Sequence, residues 1–282
     1  MSYLEYENED SEAFVETFDE APLWSAAFGL LMLKYLELKP NLTILDIGSG
    51  TGFPLMELAA RCGSSCHLYG LDPWINANNR AKKKVRNYGL QNVEIVEGIA
   101  EAIPFADNSF DLITSNLGFN NVSDKNAVIK ECNRVLKPNG KLALTTNTQG
   151  HWKEFYKVFE NVLLECGQAD IIQKLQLEQK QRGSKCTIES LLATNGFTEF
   201  TVHEEIWEMR FLDGSSFLNH YFVKLGWMES WKKILPDSLL KNAFQTLEER
   251  LNTEAVTNNG LIFTTPMLYI QGRKTRIVSN GH

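Results

Sequence analysis

A chain of 282 residues, 43% hydrophobic and 22% charged, is long enough to bury a full core and suits one large α/β domain. Its formal net charge is −7, from 35 acidic against 28 basic side chains, whereas a nucleic-acid binder shows a clustered basic footprint. The densest basic run, Arg80–Lys82–Lys83–Lys84–Arg86, reads as the solvated flank of a helix.

The first twenty residues carry eight acids and no base, unlike a mitochondrial-type presequence. The longest apolar stretch near the N-terminus, Ala26–Leu33, stops at Lys34 and falls short of the ~20 residues that a membrane span needs. Five cysteines (Cys62, Cys66, Cys132, Cys166, Cys186) form no paired ligand set, so no metal is expected and reduced thiols are the default. These features point to a cytoplasmic protein without a membrane span.

In chain order, residues 12–37 look helical with a break near Pro22. Leu42–Ile47 is a short strand ending in glycines, and Pro54–Arg61 a helix with proline in its first turn. His67–Leu71 is a strand, Trp74–Tyr88 a helix, and Val93–Val96 and Phe110–Ser115 are strands. Asp124–Leu136 is a helix closed by the turn Lys137–Pro138–Asn139–Gly140, and Lys141–Thr146 is the fifth strand. Strands and helices alternating at this spacing imply parallel βαβ units and a doubly wound sheet.

Beyond residue 150, helical segments dominate: His151–Cys166, Ala169–Gln181 and Thr187–Asn195. A strand at Thr198–Glu205, an aromatic helical stretch Gly214–Leu251 and a last strand Leu261–Gln271 follow. The expectation is a single α/β domain over 1–282: a Rossmann-like, seven-stranded, mostly parallel sheet with helices on both faces. It has an N-terminal helical cap (1–40), a ligand-binding core (41–147) and the rest of the sheet (148–282), with helical capping insertions at 150–195 and 212–255.

The informative segment is Ile44-Leu45-Asp46-Ile47-Gly48-Ser49-Gly50-Thr51-Gly52-Phe53-Pro54, a strand ending in Asp46 followed by three glycines and a helix. Such a loop lies at the carboxyl edge of the sheet, where open α/β folds bind ligands. The dinucleotide fingerprint spaces its glycines G-x-G-x-x-G, but here the third comes one residue early and Phe53 holds the fingerprint position. The loop contains no lysine, so it is no P-loop. A ligand without phosphate but with a charged amino-acid tail fits better, with Asp46 facing its ammonium.

Leu45–Gly52 resembles the first motif of class I S-adenosylmethionine-dependent methyltransferases, and four further stretches agree in order and spacing. Tyr69-Gly70-Leu71-Asp72-Pro73 resembles the second-strand motif, in which the acid binds the ribose hydroxyls; a carboxylate can accept from two adjacent hydroxyls. Read alone, Asp72 could equally cap a helix. Gly98–Phe105 resembles the adenine-side loop, Phe110–Asn116 the strand beneath the sulfonium, and Arg134–Lys141 the step into strand five. The resemblance covers about residues 40–147, and its nearest flavour is the ubiquinone/menaquinone-biosynthesis type, which methylates small molecules. It implies S-adenosyl-L-methionine held by Asp46, Gly48, Ser49, Gly50, Gly52, Phe53, Asp72, Pro73, Trp74, Ile99, Ala100, Glu101, Asn116 and Leu117. One departure stands out: Ile99 occupies the place of the usual adenine-reading aspartate, leaving the Ala100 amide and Glu101 to serve.

Methyl transfer from a sulfonium is an in-line displacement, in which the protein mostly aligns the reactants and excludes water. A general base is needed only for a protonated, weakly acidic acceptor, and His151, His220 and Asn116 are the candidates for a catalytic role. Structural histidines and a turn-favouring asparagine are the plain alternatives. Trp24, Asn120, Trp152, Tyr156, Tyr221 and Trp227 are candidates for an apolar or aromatic small-molecule acceptor, with core packing as the alternative. Competing functions are a non-catalytic S-adenosylmethionine-binding regulator or partner subunit, and an arsenite-type methyltransferase using thiols.

Overall fold

The computed structural model describes residues 1–6, 10–20, 23–167, 169–180 and 182–275. Two helices, α1 (Glu12–Glu20) and α2 (Leu23–Tyr35), precede β1 (Thr43–Ile47), α3 (Leu55–Cys62), β2 (His67–Asp72), α4 (Ile75–Asn87), β3 (Val93–Glu97), β4 (Phe110–Asn116), α5 (Lys125–Val135) and β5 (Leu136–Asn147). Then come α6 (Lys153–Glu165), α7 (Ala169–Lys180), α8 (Lys185–Thr194), β6 (Phe197–Phe211), α9 (Gly214–Asn219), α10 (Tyr221–Val223), α11 (Glu229–Ile234), α12 (Asp237–Asn258) and β7 (Leu261–Lys274). The seven strands form one sheet in the order β3-β2-β1-β4-β5-β7-β6, and the pairs β1–β2, β1–β4, β2–β3 and β4–β5 are parallel. This is the expected Rossmann-like architecture.

The contacts divide the chain into two compact units, where the alternation alone suggests one domain with insertions. The first comprises residues 1–9, 147–183 and 205–266; the second comprises 10–146, 184–204 and 267–282. The expected 1–40 cap is therefore shared out. Residues 1–6 lie in the first unit, where the Tyr3 hydroxyl donates to Glu248 Oε2 at 2.7 Å, and α1 and α2 lie in the second. Helix α8, read as part of an insertion, also belongs to the second unit, because Ile188 and Leu192 join its core with Ile129, Val135 and Leu268.

Several boundaries differ from the sequence reading for identifiable reasons. Pro54 sits at the N-cap of α3 rather than inside its first turn. Lys137–Gly140 is part of β5: Leu136 pairs with Phe110 and Lys141 with Leu112, so the extra residues bulge out through Asn139 at φ 65. Strand β6 runs to Phe211, since the period-2 alternation continues through Glu205–Phe211 with Ile206, Glu208 and Arg210 exposed. The stretch Gly214–Leu251 is not one helix. It breaks at His220, passes through a π-helical turn at Lys224–Met228, and breaks again at Leu235, which is extended before Pro236. Pro22 and Gln181, invoked in the sequence reading, lie outside the described residues.

Lys82 and Arg86 of the basic run on α4 are exposed, but the rest of it is not a free flank. It is the docking face of acidic α1: Arg80 Nε donates to Asp19 Oδ2 at 2.8 Å, Lys84 pairs with Asp19, and Lys83 pairs with Glu12. An acidic helix laid over a basic one neutralises both, and residue spacing within α4 alone gives no sign of it.

The first unit is packed by aromatic rings. Trp152, Phe155, Tyr156, Phe217 and Trp231 are all fully buried, with the Phe155 and Trp231 centroids 4.5 Å apart and Trp231 Nε1 donating to the Tyr156 hydroxyl at 3.3 Å. Trp231→Ala is expected to lower stability by about 3–5 kcal/mol, as for other buried large aromatics. Urea denaturation followed by circular dichroism checks this; a loss below about 1 kcal/mol would mean that the ring packs far less tightly than its burial implies.

Candidate functional site

The site is built wholly within the second unit, from the carboxyl ends of β1, β2 and β4 and the loops that follow them. Parallel pairing aligns Asp46 with Gly70 on one side and with Thr114 on the other, so the last residues of the three strands share one edge. The backbone of the glycine loop turns back onto β2: Gly48 N–H donates to Leu71 O at 2.9 Å and Ser49 N–H to the same oxygen at 3.3 Å. Gly52 N–H donates to Ser49 O at 2.8 Å, closing a turn that hands over to α3. Gly48, at φ 70, passes so close to Gly118 that an added Cβ would lie 2.6 Å from the Gly118 Cα.

Two buried carboxylates flank this loop. Asp46 is 1% exposed and accepts from the Thr114 hydroxyl at 2.7 Å. Burial pushes its carboxyl up to about 7, the Thr114 hydrogen bond opposes that rise, and nearby Asp72 adds to it. Asp72 accepts from Gly50 N–H through Oδ2 and from Trp74 N–H through Oδ1, each at 2.8 Å. Burial raises its pKa as well, against those two donors. Asp72 thus ties the glycine loop to the turn before α4, but it is not that helix's N-cap: Trp74 holds that position, with no side-chain cap hydrogen bond. The Asp72 carbonyl accepts from Asn78 Nδ2 at 2.8 Å and from Gly98 N–H at 3.2 Å, fixing the next loop along the edge.

Asn116 ends β4 with its amide fixed in orientation. Its Oδ1 accepts from the Thr145 hydroxyl at 2.7 Å and its Nδ2 donates to Ser25 O at 3.0 Å. Leu117 follows in the left-handed region at φ 63, and Asn120 Oδ1 accepts from the Thr146 hydroxyl. The remaining expected positions are more spread out. Ile99 is 51% exposed, Pro73 is exposed, and Ala100 is buried. Glu101 Oε1 accepts from the Ser123 N–H at 2.8 Å, so this carboxylate is engaged with the start of α5. Phe53 turns its ring onto α2 at Gly29, whose missing Cβ leaves room for it. Trp74 stacks edge-on against Phe18 and donates from Nε1 to Asp10. Trp24 packs on Phe28.

The other expected residues lie in the first unit. Trp152 and Tyr156 are fully buried in its core, which the packing alternative explains without a ligand. His151 is buried and stacks on Trp152 and Trp227, and burial holds its pKa well below the ordinary value, so it is neutral near pH 7. His220 is shifted in the same direction by burial and stands edge-on to Phe211. Tyr221 meets Tyr6 edge-on. Among the described residues no group of three or more His, Cys, Asp or Glu could hold a metal ion.

Sequence reasoning overlooked Thr114, Thr145, Asn78 and Gly118. Only strand register exposes the first two, since Thr114 acquires its role from lying opposite Asp46 and Thr145 from lying opposite Asn116.

Residues 45–144 match the family described as "Methyltransferase domain". Over those residues the chain is similar to a methyltransferase domain. The chain is 35% identical over 130 residues to a demethylmenaquinone methyltransferase of Listeria monocytogenes, an alignment covering 45% of this chain and 55% of the relative. A demethylmenaquinone methyltransferase of Lactobacillus johnsonii matches at 35% over 136 residues, covering 45% and 56%. The chain thus spans about half the length of the curated relatives it matches. Among solved structures, the YcgJ protein of Bacillus subtilis superposes with a TM-score of 0.60 at 20% identity, covering 89% of this chain and 99% of that one. A phosphoethanolamine N-methyltransferase of Haemonchus contortus, solved with phosphomonomethylethanolamine and S-adenosylhomocysteine, gives 0.53 at 18% identity, covering 88% and 52%. These likenesses establish the fold.

Proposed function

We propose that the chain is an S-adenosyl-L-methionine-dependent methyltransferase acting on a small molecule. The observation that carries this reading is the pair of buried acids, Asp46 and Asp72, on either side of a glycine loop that holds no cation. A phosphate ligand would meet two carboxylates there with nothing to neutralise it. A nucleoside with a positively charged amino-acid tail meets what it needs: Asp46 for the ammonium, and the free lone pairs of Asp72 for the ribose hydroxyls. The buried Asp46 carboxyl, raised to about 7, is a group that a cation would restore to its ionised form.

When bound, the sulfonium supplies an already activated methyl group. The protein's own work is to hold and orient. The glycine-loop backbone and Asp72 fix the nucleoside, Asp46 the tail, and the clamped Asn116 amide at the end of β4 can position an acceptor. In-line transfer then depends on alignment and exclusion of water. An apolar or aromatic small molecule is the acceptor class of this reading. The pairing of the α4 cations with α1 supports a non-nucleic-acid substrate. The five free thiols and the lack of any helix long and apolar enough to cross a membrane, among the described residues, fit a cytoplasmic setting.

Asp72→Asn is expected to weaken S-adenosylhomocysteine binding about ten- to a hundredfold, because a hydrogen bond to a charged group is worth about 1.5–3 kcal/mol. Asparagine is preferred to alanine here because its Oδ1 keeps one of the backbone contacts to Gly50 and Trp74. Unchanged affinity in calorimetry would place the ribose elsewhere. The activity itself is tested by incubating the protein with methyl-labelled donor and a panel of quinols, phenols and amines. Label transfer to one class is the expected result. Tight donor binding without transfer to any of them would favour the regulator or partner-subunit reading.

A further inference from the structure

Resting on the donor reading above, we propose that Arg134, paired with Glu131, is the positioning residue that sets the loop Gly98–Phe105 for reading the nucleobase. The loop leaves the carboxyl end of β3, the strand beside β2, and its first amide is tied to Asp72 O. A nucleoside whose ribose lies on Asp72 therefore has its base directed along the edge toward this loop or back across β1. On the β1 side the glycine loop approaches β4 too closely to admit a flat ring, as the Gly48–Gly118 contact shows. The exposed Ile99 leaves an apolar surface on the loop side.

Residues 103–105 have no strand or helix of their own to hold them. Arg134 supplies the hold from the last turn of α5, and every N–H of its guanidinium is used. Nη2 donates to Ile103 O at 2.9 Å and Nη1 to Phe105 O at 2.8 Å. Nε and Nη2 form a fork onto the Glu131 carboxylate, each at 2.7 Å, and Nη1 also reaches Asp107 at 2.8 Å. Glu131 Oε2 in turn accepts from Ile103 N–H at 2.9 Å. Both backbone groups of Ile103 are thus gripped by one ion pair, and the fork geometry is one that lysine cannot reproduce. Nearer its start the loop is pinned by Glu101 to the Ser123 N–H, just before α5, so the segment is held at two places. An ion pair serving only stability would have no reason to spend three of its hydrogen bonds on the backbone of one irregular loop.

The test measures binding of S-adenosylhomocysteine and S-inosylhomocysteine to wild type, Arg134→Lys and Glu131→Gln, with melting temperatures alongside. The two ligands differ only in the base, so the ratio of their dissociation constants reports base reading and is insensitive to a uniform loss of fold. Wild type is expected to prefer the adenosyl ligand, and both variants to lose at least fivefold of that preference, with Glu131→Gln the milder. Variants that melt lower but keep the wild-type ratio would overturn the proposal and leave a structural ion pair. A wild type that binds both ligands equally would also overturn it. A wild type that binds neither would overturn the donor reading itself, and the proposal with it.

Discussion

Asp46→Asn is expected to stabilise the ligand-free protein at pH 8 by about 2–4 kcal/mol, at about 1.4 kcal/mol per pKa unit, while weakening donor binding about ten- to a hundredfold. The sign follows from linkage. Burial raises the Asp46 carboxyl from 3.8 to about 7, so between those pH values the folded protein holds a proton that the unfolded chain has released. Its contribution to stability is fully present below pH 3.8 and is lost as the pH rises through about 7. Above that, the folded state carries an ionised, buried carboxylate whose one side-chain partner is the Thr114 hydroxyl. Asparagine keeps the acceptor for Thr114 and removes the charge. The gain should therefore shrink toward zero as the pH is lowered to 4, a dependence that a simple packing improvement would not show. Donor binding should run the other way in wild type, weakening as the pH falls below about 7, because the ligand's ammonium needs the ionised form. Chemical denaturation at pH 5 and pH 8, with titrations at both, measures the two trends together. Equal stability of wild type and variant at pH 8 would show that Asp46 is not strained by its burial.

Gly48→Ala is expected to cost about 2–5 kcal/mol, combining about 1–2 for a left-handed non-glycine residue with about 1–3 for overpacking. Gly48 stands at φ 70, and the new methyl would meet the Gly118 Cα at 2.6 Å, a backbone atom that cannot rotate away. Gly118 is held in its turn, since a Cβ there would strike Ile47 O at 2.6 Å. The β1 and β4 loops can therefore separate only by moving both strand ends, which carries Asp46 away from Thr114. Gly50→Ala provides the contrast. Gly50 is also left-handed, at φ 51, but no atom lies within 4 Å of its added methyl, so only the smaller backbone strain of about 1–2 kcal/mol is expected. Thermal and urea melts of the two variants separate these contributions; equal losses at both positions would mean that the close approach of the two loops is not tight.

The candidate edge is legible in the sequence because its parts are local. Asp46, the three glycines and Asp72 lie at strand ends marked by apolar runs and turn residues, and their order alone fixes a shared edge once the strands are parallel. What escaped reading depends on register or on distant pairing. Thr114 matters only because Asp46 lies opposite it, and the bulge at Lys137–Gly140 shows only once Leu136 and Lys141 are seen to bracket Phe110 and Leu112. The basic run on α4 read as solvent-facing because its partners sit some 65 residues away on α1. The aromatics beyond residue 150 were ambiguous for a different cause. Packing and ligand binding draw on the same residue types, and only burial separates Trp152 and Tyr156, deep in the core of their unit, from the partly covered Tyr221.

The edge between Asp46 and Asp72 is proposed to hold a cationic, phosphate-free nucleoside. Titration calorimetry of the full chain with S-adenosylhomocysteine, beside NAD and ATP at the same concentrations, tests it most directly. Saturable one-to-one binding of S-adenosylhomocysteine, lost or strongly weakened in Asp72→Asn, with no heat from NAD or ATP, is the predicted result. Binding of NAD or ATP that S-adenosylhomocysteine fails to displace, or S-adenosylhomocysteine binding indifferent to both Asp46→Asn and Asp72→Asn, would contradict it.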